Sequence, residues 1–286
     1  MKKAQIEVIN TIPEKKSKPI STLIGIIFIF LTTGALASTL SGSISNNTEL
    51  SESQVSNISR ICNIIAYFIS GIAAYIIVNK YNGEKAGPIT KIKKIDPIFT
   101  ALCVLAIRAL QDIFMQATTL ILSDRISIKE NINDNTSLLF IIEAVVAAPI
   151  VEELVFRYAG IELLEKKIKP WIAILIISAF FAILHTYNIQ GVISIFILSV
   201  VVSVVYYYTR NVIYAILIHV LYNASSLIDR TKFTLLGESI TSIKNGFYTF
   251  SKYWLLIQLF IIVIGVIYTF FIFIPNNKKS KQKRNL

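Results

Sequence analysis

The sequence predicts an all-α, polytopic membrane protein with about eight transmembrane helices. Of its 286 residues, 54% are hydrophobic and only 16% are charged, whereas soluble domains carry about 25% charged residues. Apolar runs of about 20 residues recur, which is long enough for a helix to cross a hydrocarbon core of about 30 Å. Lipid cannot satisfy exposed backbone groups, and the alternation typical of barrel strands is absent, so the spanning elements are predicted to be helices.

The apolar runs place the spans in order along the chain. They are predicted at residues 20–40, 58–79, 97–123, 137–160, 170–186, 190–209, 211–228 and 253–274. Pro97 and Pro170 begin two of them, where a helix loses nothing by a missing N–H. No repeat of 20–50 residues is visible. We therefore predict a single bundle over 20–274, with a core at about 137–228, between an N-terminal tail (1–19) and a basic C-terminal tail (275–286).

The basic residues that give the chain its net charge of +11 are unevenly distributed along the sequence. Lys and Arg gather in both tails, in loop 80–96 and after the fourth and sixth spans, which are alternate loops. By the positive-inside rule, both termini are predicted to be cytoplasmic. The basic excess then faces lipid headgroups, so we expect the bilayer as a partner and no nucleic acid. A multi-pass protein of the cell membrane is expected, and the wealth of Ile, Lys and Asn indicates a bacterial source.

The cysteines and one small-residue sequence have plainer explanations than function. Cys62 and Cys103 fall within apolar stretches, and their spacing is no metal or redox pattern, so packing is the better interpretation. The sequence at Ala35–Ala37 resembles the end of a signal peptide, but the polar lead before it is long for one. Cleavage there would leave the orientation of the other spans unchanged.

The predicted spans contain ionisable side chains, and each one that is charged and unpaired costs about 2.5–3.5 kcal/mol at the bilayer centre. They are Arg108, Asp112, Glu143, Glu152, Glu153, Arg157, His185 and His219. Arg108 and Asp112 are i,i+4 neighbours and are predicted to neutralise each other. Glu143 lies about half a turn round the helix from Glu152, so it is not expected to share a pocket with that residue.

Glu152, Glu153 and Arg157 form the tightest group of these charges. Glu153 and Arg157 are i,i+4 neighbours in the favourable order, with the acid first. Glu152 is left without a local counter-charge, as expected of a general base in a buried site. The alternative is that all three only hold helices together. Pro149 removes an N–H and is expected to free the carbonyl of Val145, bending the helix beside a cavity.

The only two histidines of the chain lie in other spans. His185 follows Phe181 by one turn in the string FAILH, and His219 precedes Asn223 by one turn in HVLYN. A lone buried histidine is usually a core residue. Here both lie in apolar helices at a depth comparable to that of Glu152, so we expect convergence on that carboxylate.

These strings together resemble the signature of the CPBP (Abi) family of intramembrane proteases. That family groups type II CAAX prenyl endopeptidases with bacteriocin-processing and self-immunity proteins. Its signature, EExxxR, FxxxH and HxxxN on three transmembrane helices, stands intact and in order at 152–157, 181–185 and 219–223. The resemblance covers about 137–228 and implies an intramembrane endopeptidase that cleaves a membrane-associated peptide or protein.

The resemblance also implies roles for single residues. The catalytic set is Glu152, Glu153, His185, His219 and Asn223, with Arg157 and Phe181 as structural or substrate-positioning residues. Glu152 with His185 would activate a water, and His219 with Asn223 would donate hydrogen bonds to the oxyanion. Glu152, His185 and His219 are also a possible ligand set for zinc. No HExxH motif is present, and a mechanism without a required cofactor is favoured.

Two other functions are consistent with these residues. A catalytically idle bundle of the same family would act as a bacteriocin self-immunity or regulatory binding protein. A transporter would use buried Glu and His as a proton path, but the chain shows neither inverted repeats nor paired interrupted helices. For the protease, a leader peptide, bacteriocin precursor or signalling peptide is the expected substrate, by analogy with the family alone.

Overall fold

The structure, a computed structural model, describes residues 18–47, 50–81, 95–122, 137–185, 189–235 and 256–273. Within these ranges the chain forms eight helices and no strand, which confirms the predicted all-α class. The C-terminal tail and nearly all of the N-terminal tail and loop 80–96 lie outside the described residues.

One helix corresponds to each predicted span. The helices are α1 (Pro19–Asn47), α2 (Glu52–Tyr81), α3 (Pro97–Leu122), α4 (138–164), α5 (Pro170–Leu184), α6 (Ile189–Thr209), α7 (Val212–Leu235) and α8 (256–273). The largest differences from the predicted bounds are that α1 and α7 end later and α2 begins earlier. Hydropathy marks only the apolar part of a helix, whereas hydrogen bonding carries these helices into polar sequence.

The outer surface of the bundle is apolar. The helices α1, α2 and α6 and the first part of α3 are long and apolar enough to cross a membrane, while α5, α8 and part of α7 are shorter apolar helices. Large side chains such as Phe28, Leu36 and Phe271 are 65%, 68% and 76% exposed. In water so much exposed apolar surface would be costly. In a bilayer it is the surface that faces lipid, as expected for a multi-pass membrane protein.

Helix α4 is the core of the bundle. Every residue from 151 to 161 is buried, and α4 contacts α1, α2, α5, α6 and α7. Two glycines allow close approach to α4. A Cβ on Gly71 of α2 would lie 3.0 Å from Val151, and a Cβ on Gly160 of α4 would lie 2.7 Å from Ile177 of α5. The EExxxR segment of α4 is therefore enclosed by neighbouring helices.

The backbone of α4 is wider than a regular α-helix in two places, Ile142–Ala147 and Glu153–Ile161, which are π-helical. In the first, the N–H of Ala148 bonds to the carbonyl five residues earlier, at Glu143. In this five-residue register, the carbonyl of Ala144 would accept a hydrogen bond from the N–H of residue 149. That residue is Pro149, which has no N–H. The freed carbonyl is thus that of Ala144. The expectation of Val145 was wrong because it assumed four-residue spacing.

Two charged residues of α3 join it to its neighbours. Arg108 donates hydrogen bonds to the Ser225 hydroxyl of α7, at 3.0 Å from Nε and 2.8 Å from Nη2, and its guanidinium lies 4.3 Å from the Tyr222 ring centre. Asp112 accepts a hydrogen bond of 3.1 Å from Gln258 of α8. Both charges therefore act in helix packing, and their pairing with each other stays a prediction.

Candidate active site

Three helices bring a carboxylate and two imidazoles together. The Oε2 atom of Glu152 in α4 lies 3.9 Å from Nε2 of His219 in α7 and 4.0 Å from Nε2 of His185 at the end of α5. Glu152 is 7% and His219 3% exposed, and the side chain of His185 is 29% exposed. The expected convergence on Glu152 is confirmed. Separations near 4 Å allow a water to bridge Glu152 Oε2 and either imidazole, at about 2.8 Å from both atoms.

The orientation of His185 is set by Phe181, one turn earlier. Nδ1 of His185 lies 2.7 Å from the backbone carbonyl oxygen of Phe181. A carbonyl can only accept, so Nδ1 carries the hydrogen, and Nε2, the atom nearer Glu152, carries a lone pair in the neutral ring. The Phe181 ring packs against that of His185 with centroids 4.3 Å apart. This is the geometry of the positioning role expected for Phe181.

The orientation of His219 is set in the same way by Glu153. Nδ1 of His219 lies 2.8 Å from Oε1 of Glu153. The carboxylate accepts this hydrogen bond, so Nε2 of His219 again faces Glu152. The adjacent glutamates therefore have different environments. Glu152 lies at the convergence of the imidazoles, whereas Glu153 contacts His219 from the other side of its ring.

Glu153 and Arg157 form a completely buried ion pair. Arg157 Nη1 lies 3.0 Å from Glu153 Oε1, and both side chains have no exposed surface. Nη2 of Arg157 donates a 2.8 Å hydrogen bond to the hydroxyl of Ser199 in α6, and the guanidinium lies 4.5 Å from the ring centre of Phe181. The predicted i,i+4 pair is confirmed. The contribution of Ser199 was missed, because a lone serine in an apolar helix gives no sequence signal.

Asn223 lies one turn beyond His219 on α7. Its Nδ2 donates a 2.8 Å hydrogen bond to the carbonyl of Ala144, the one left free by Pro149. One amide hydrogen of Asn223 therefore joins α7 to the wide turn of α4. The expected role of this amide as an oxyanion donor would fall to its second hydrogen.

Glu143 belongs to a different group of side chains. Its carboxylate forms an ion pair of 3.0 Å with Arg60 of α2 and accepts a 2.8 Å hydrogen bond from Asn63 of the same helix. It does not line the cavity that reaches Glu152, in agreement with the prediction.

A cavity of about 390 Å³ reaches Glu152 and His185 from the side of α1 and α2. Both helices contribute apolar and small side chains to its wall, among them Phe30, Leu31, Gly34, Ala66, Tyr67 and Ser70. Volumes of this size accommodate small ligands or a few side chains of a peptide. Sequence reasoning did not single out these residues, because none is ionisable and none belongs to a motif.

The three converging side chains are of the types that bind zinc, so their spacing can be compared with that of zinc ligands. Within the part of the chain that the structure describes, no group of three or more His, Cys, Asp and Glu side chains is arranged to hold a metal ion. Neighbouring ligands of a tetrahedral zinc lie about 3.4 Å apart. The separations of 3.9 and 4.0 Å between Glu152 Oε2 and the imidazoles are wider, so the side chains would have to move closer to bind zinc.

Comparison with known proteins supports the interpretation of the motifs. Residues 134–225 match the family described as type II CAAX prenyl endopeptidase Rce1-like. The match spans α4, α5, α6 and the first part of α7, and contains every residue of the predicted site. It confirms the family resemblance and indicates a function of the protease type in general. No curated protein and no solved structure matches the chain.

Proposed function

We propose that this chain is an intramembrane endopeptidase whose catalytic segment is the part that matches the Rce1-like family, residues 134–225. The observation that carries the proposal is the convergence of Glu152 Oε2 with two imidazole Nε2 atoms, 3.9 and 4.0 Å away, beside a cavity. A water held there would be close to a carboxylate that forms no hydrogen bond with the described residues. Such a carboxylate is free to serve as a general base.

The water has fewer hydrogens than the site has acceptors, which implies different roles for the two histidines. With Nδ1 of each ring donating elsewhere, a neutral site presents three acceptors to one water, which has only two hydrogens. One imidazole must therefore carry a second proton for all three contacts to be favourable. We assign it to His219, because its Nδ1 faces a carboxylate, Glu153 Oε1 at 2.8 Å, whereas Nδ1 of His185 faces a neutral carbonyl. Its Nε2–H is then a donor, while neutral His185 accepts from the water and orients it.

The hydrolysis follows from these roles. Glu152 takes a proton from the water as its oxygen attacks the scissile carbonyl carbon. The negative charge that develops on the carbonyl oxygen is stabilised by Nε2–H of His219 and by the amide of Asn223, and loss of one such donor costs about 10²–10³ in rate. When the C–N bond breaks, the proton held by Glu152 moves to the leaving amine. The products are a carboxylic acid and an amine, which exchange one proton to become carboxylate and ammonium, and Glu152 is regenerated as a carboxylate.

This proposal requires no metal. Glu152, His185 and His219 are the side chains that would hold a zinc ion, which would supply Lewis acidity. Nε2 of His219 would then be a ligand and could not donate to the oxyanion. The two mechanisms are therefore distinguishable through a chelator, which removes activity only if a metal is required.

The proposal is tested by comparing the peptides of membranes that contain the wild type or Glu152→Gln. We expect a set of cleavage products that depends on Glu152 and that also disappears in His185→Ala. The matched control is Glu162→Gln, on the same helix, where the carboxylate instead accepts hydrogen bonds from Tyr206 and Arg210. Products should persist in this control and in membranes treated with a zinc chelator.

Identical peptide profiles for the wild type and Glu152→Gln at equal expression would overturn the proposal. If a protective or regulatory effect on the host cell also persisted in Glu152→Gln, the binding protein of the same family would be the better assignment.

A further inference from the structure

A second cavity, richer in serine hydroxyls, adjoins the catalytic one. It has a volume of about 620 Å³ and lies between the end of α1 and the start of α2. Its wall includes the serines Ser38, Ser41, Ser45, Ser56 and Ser59. We call this cavity the serine vestibule. The described motif residues do not line it, and the proposed hydrolysis makes no use of it.

The two cavities meet at one residue of α2. Asn63 lines both the serine vestibule and the cavity that reaches Glu152. Its side chain is held by the hydrogen bond to Glu143, which is in turn paired with Arg60, and both of these also line the vestibule. A polar group thus lies where the cavity that reaches Glu152 meets the one lined by serines.

Two glycines of α1 face open space, one in each cavity. Gly34 lines the catalytic cavity and Gly42 lines the serine vestibule, and a Cβ on either would meet nothing within 4 Å. From Gly34 to Ser45 the helix rises about 16 Å. That length matches about five residues of an extended peptide, at roughly 3.3 Å each.

We propose that the substrate is a peptide lying along the groove between α1 and α2, with apolar residues beside Glu152 and an uncharged polar segment of about five residues that runs from Gly34 into the serine vestibule. This inference rests on the proposed function. Hydroxyls and the Asn63 amide can satisfy the backbone groups of an extended peptide, which an apolar wall cannot do. Gly34 and Gly42 are then specificity-determining positions, one for each part of the peptide.

The test uses synthetic peptides with four central apolar residues and either one or five flanking serines, on the N- or the C-terminal side. The fourth residue of the long flank carries a photoreactive diazirine, and crosslinks to Glu152→Gln are mapped by mass spectrometry. We expect the label on the vestibule wall, at residues 38–45 or 56–60. For the wild type, we expect peptides with five serines on one of the two sides to be cleaved several times faster than those with one.

Three glycine substitutions on α1 test the two parts of the groove separately. Gly42→Leu should remove the advantage of the long flank and leave the short peptide unaffected, whereas Gly34→Leu should slow both peptides. Gly25→Leu is the matched control, because Gly25 has the same open surroundings and lines neither cavity. It should behave as the wild type. Leu has a higher helix propensity than Gly, so loss of folding is not expected.

The outcomes separate this inference from the proposed function. Peptides that are cleaved but crosslink outside the vestibule, or a Gly42→Leu variant that keeps the wild-type preference, would overturn the inference alone. Crosslinks in the vestibule without any cleavage by the wild type would support the groove and count against the peptidase. Failure of every peptide to crosslink would count against the groove.

Discussion

At the scale of single residues, one oxygen atom organises the site. Oε1 of Glu153 accepts hydrogen bonds from both Arg157 and His219, and all three side chains are buried. A buried guanidinium is costly unless it is paired. The same carboxylate therefore neutralises Arg157 and fixes the ring of His219, while the adjacent Glu152 forms no hydrogen bond with the described residues, as the proposed general base requires.

Because Glu153 is paired with buried side chains and Glu152 is not hydrogen-bonded to the described residues, substitution of the two glutamates is predicted to affect stability differently. Glu153→Gln removes the counter-charge of a fully buried Arg157, and breaking such a pair costs about 3–5 kcal/mol. Glu152→Gln breaks no hydrogen bond within the described residues and should lower the free energy of unfolding by clearly less than Glu153→Gln does. Thermal unfolding of the purified proteins in one detergent compares them. Equal midpoints for the two variants would contradict this assignment.

At the scale of the element, the wide turns of α4 connect the catalytic helix to α7. Pro149 leaves the carbonyl of Ala144 without an N–H in its register, and Asn223 supplies the missing donor at 2.8 Å. Wide turns of this kind are frequent at functional sites. Here the irregularity makes a specific contact possible, because a regular helix would satisfy that carbonyl internally.

A double-mutant cycle tests this connection. Asn223→Ala leaves the carbonyl of Ala144 without a partner, which should cost about 1–3 kcal/mol of stability. Pro149→Ala restores an N–H that can bond within α4. In the Pro149→Ala background, Asn223→Ala should therefore cost clearly less, giving a coupling energy above about 0.5 kcal/mol. The readout is again thermal unfolding, and strict additivity of the two substitutions would show that the carbonyl is satisfied in some other way.

The same helix shows what could be predicted from sequence. The i,i+4 ion pair and the turn-apart pairs of α5 and α7 follow from helix periodicity, and the convergence on Glu152 followed from the cost of charge in hydrocarbon. The partner of Asn223 could not be predicted, because it depends on a five-residue hydrogen-bond register that hydropathy does not encode. The walls contributed by α1 and α2 were missed for a similar reason. Small residues such as Gly34 and Ser70 acquire a role only through their neighbours in space.

At the scale of the whole molecule, the bundle separates two kinds of environment. Large apolar side chains cover the outside, and Glu153 and Arg157 of α4 are enclosed and paired. A second group of charges lies where α4 and α6 end, and there Arg210 is paired with Glu162 and Glu165. Burial lowers the pKa of Arg210, but the hydrogen bonds and charges of Glu165 and Glu162 outweigh this effect and raise it overall. A permanent cation at this end is what an anchor at the headgroup level requires.

The apolar outer surface leads to a prediction that a water-soluble fold would not share. Ile69, near the middle of α2, is 53% exposed, and Leu138, the first residue of α4, is 72% exposed. In water, Lys at either exposed position would change stability by about 0.5 kcal/mol or less. In a bilayer, Ile69→Lys places a charge near the centre and should cost about 2.5–3.5 kcal/mol, whereas Leu138→Lys can extend its ammonium towards the interface. We therefore expect less membrane-integrated protein and a lower unfolding temperature for Ile69→Lys alone. Wild-type behaviour of both variants in membranes would mean that this face of α2 does not contact lipid.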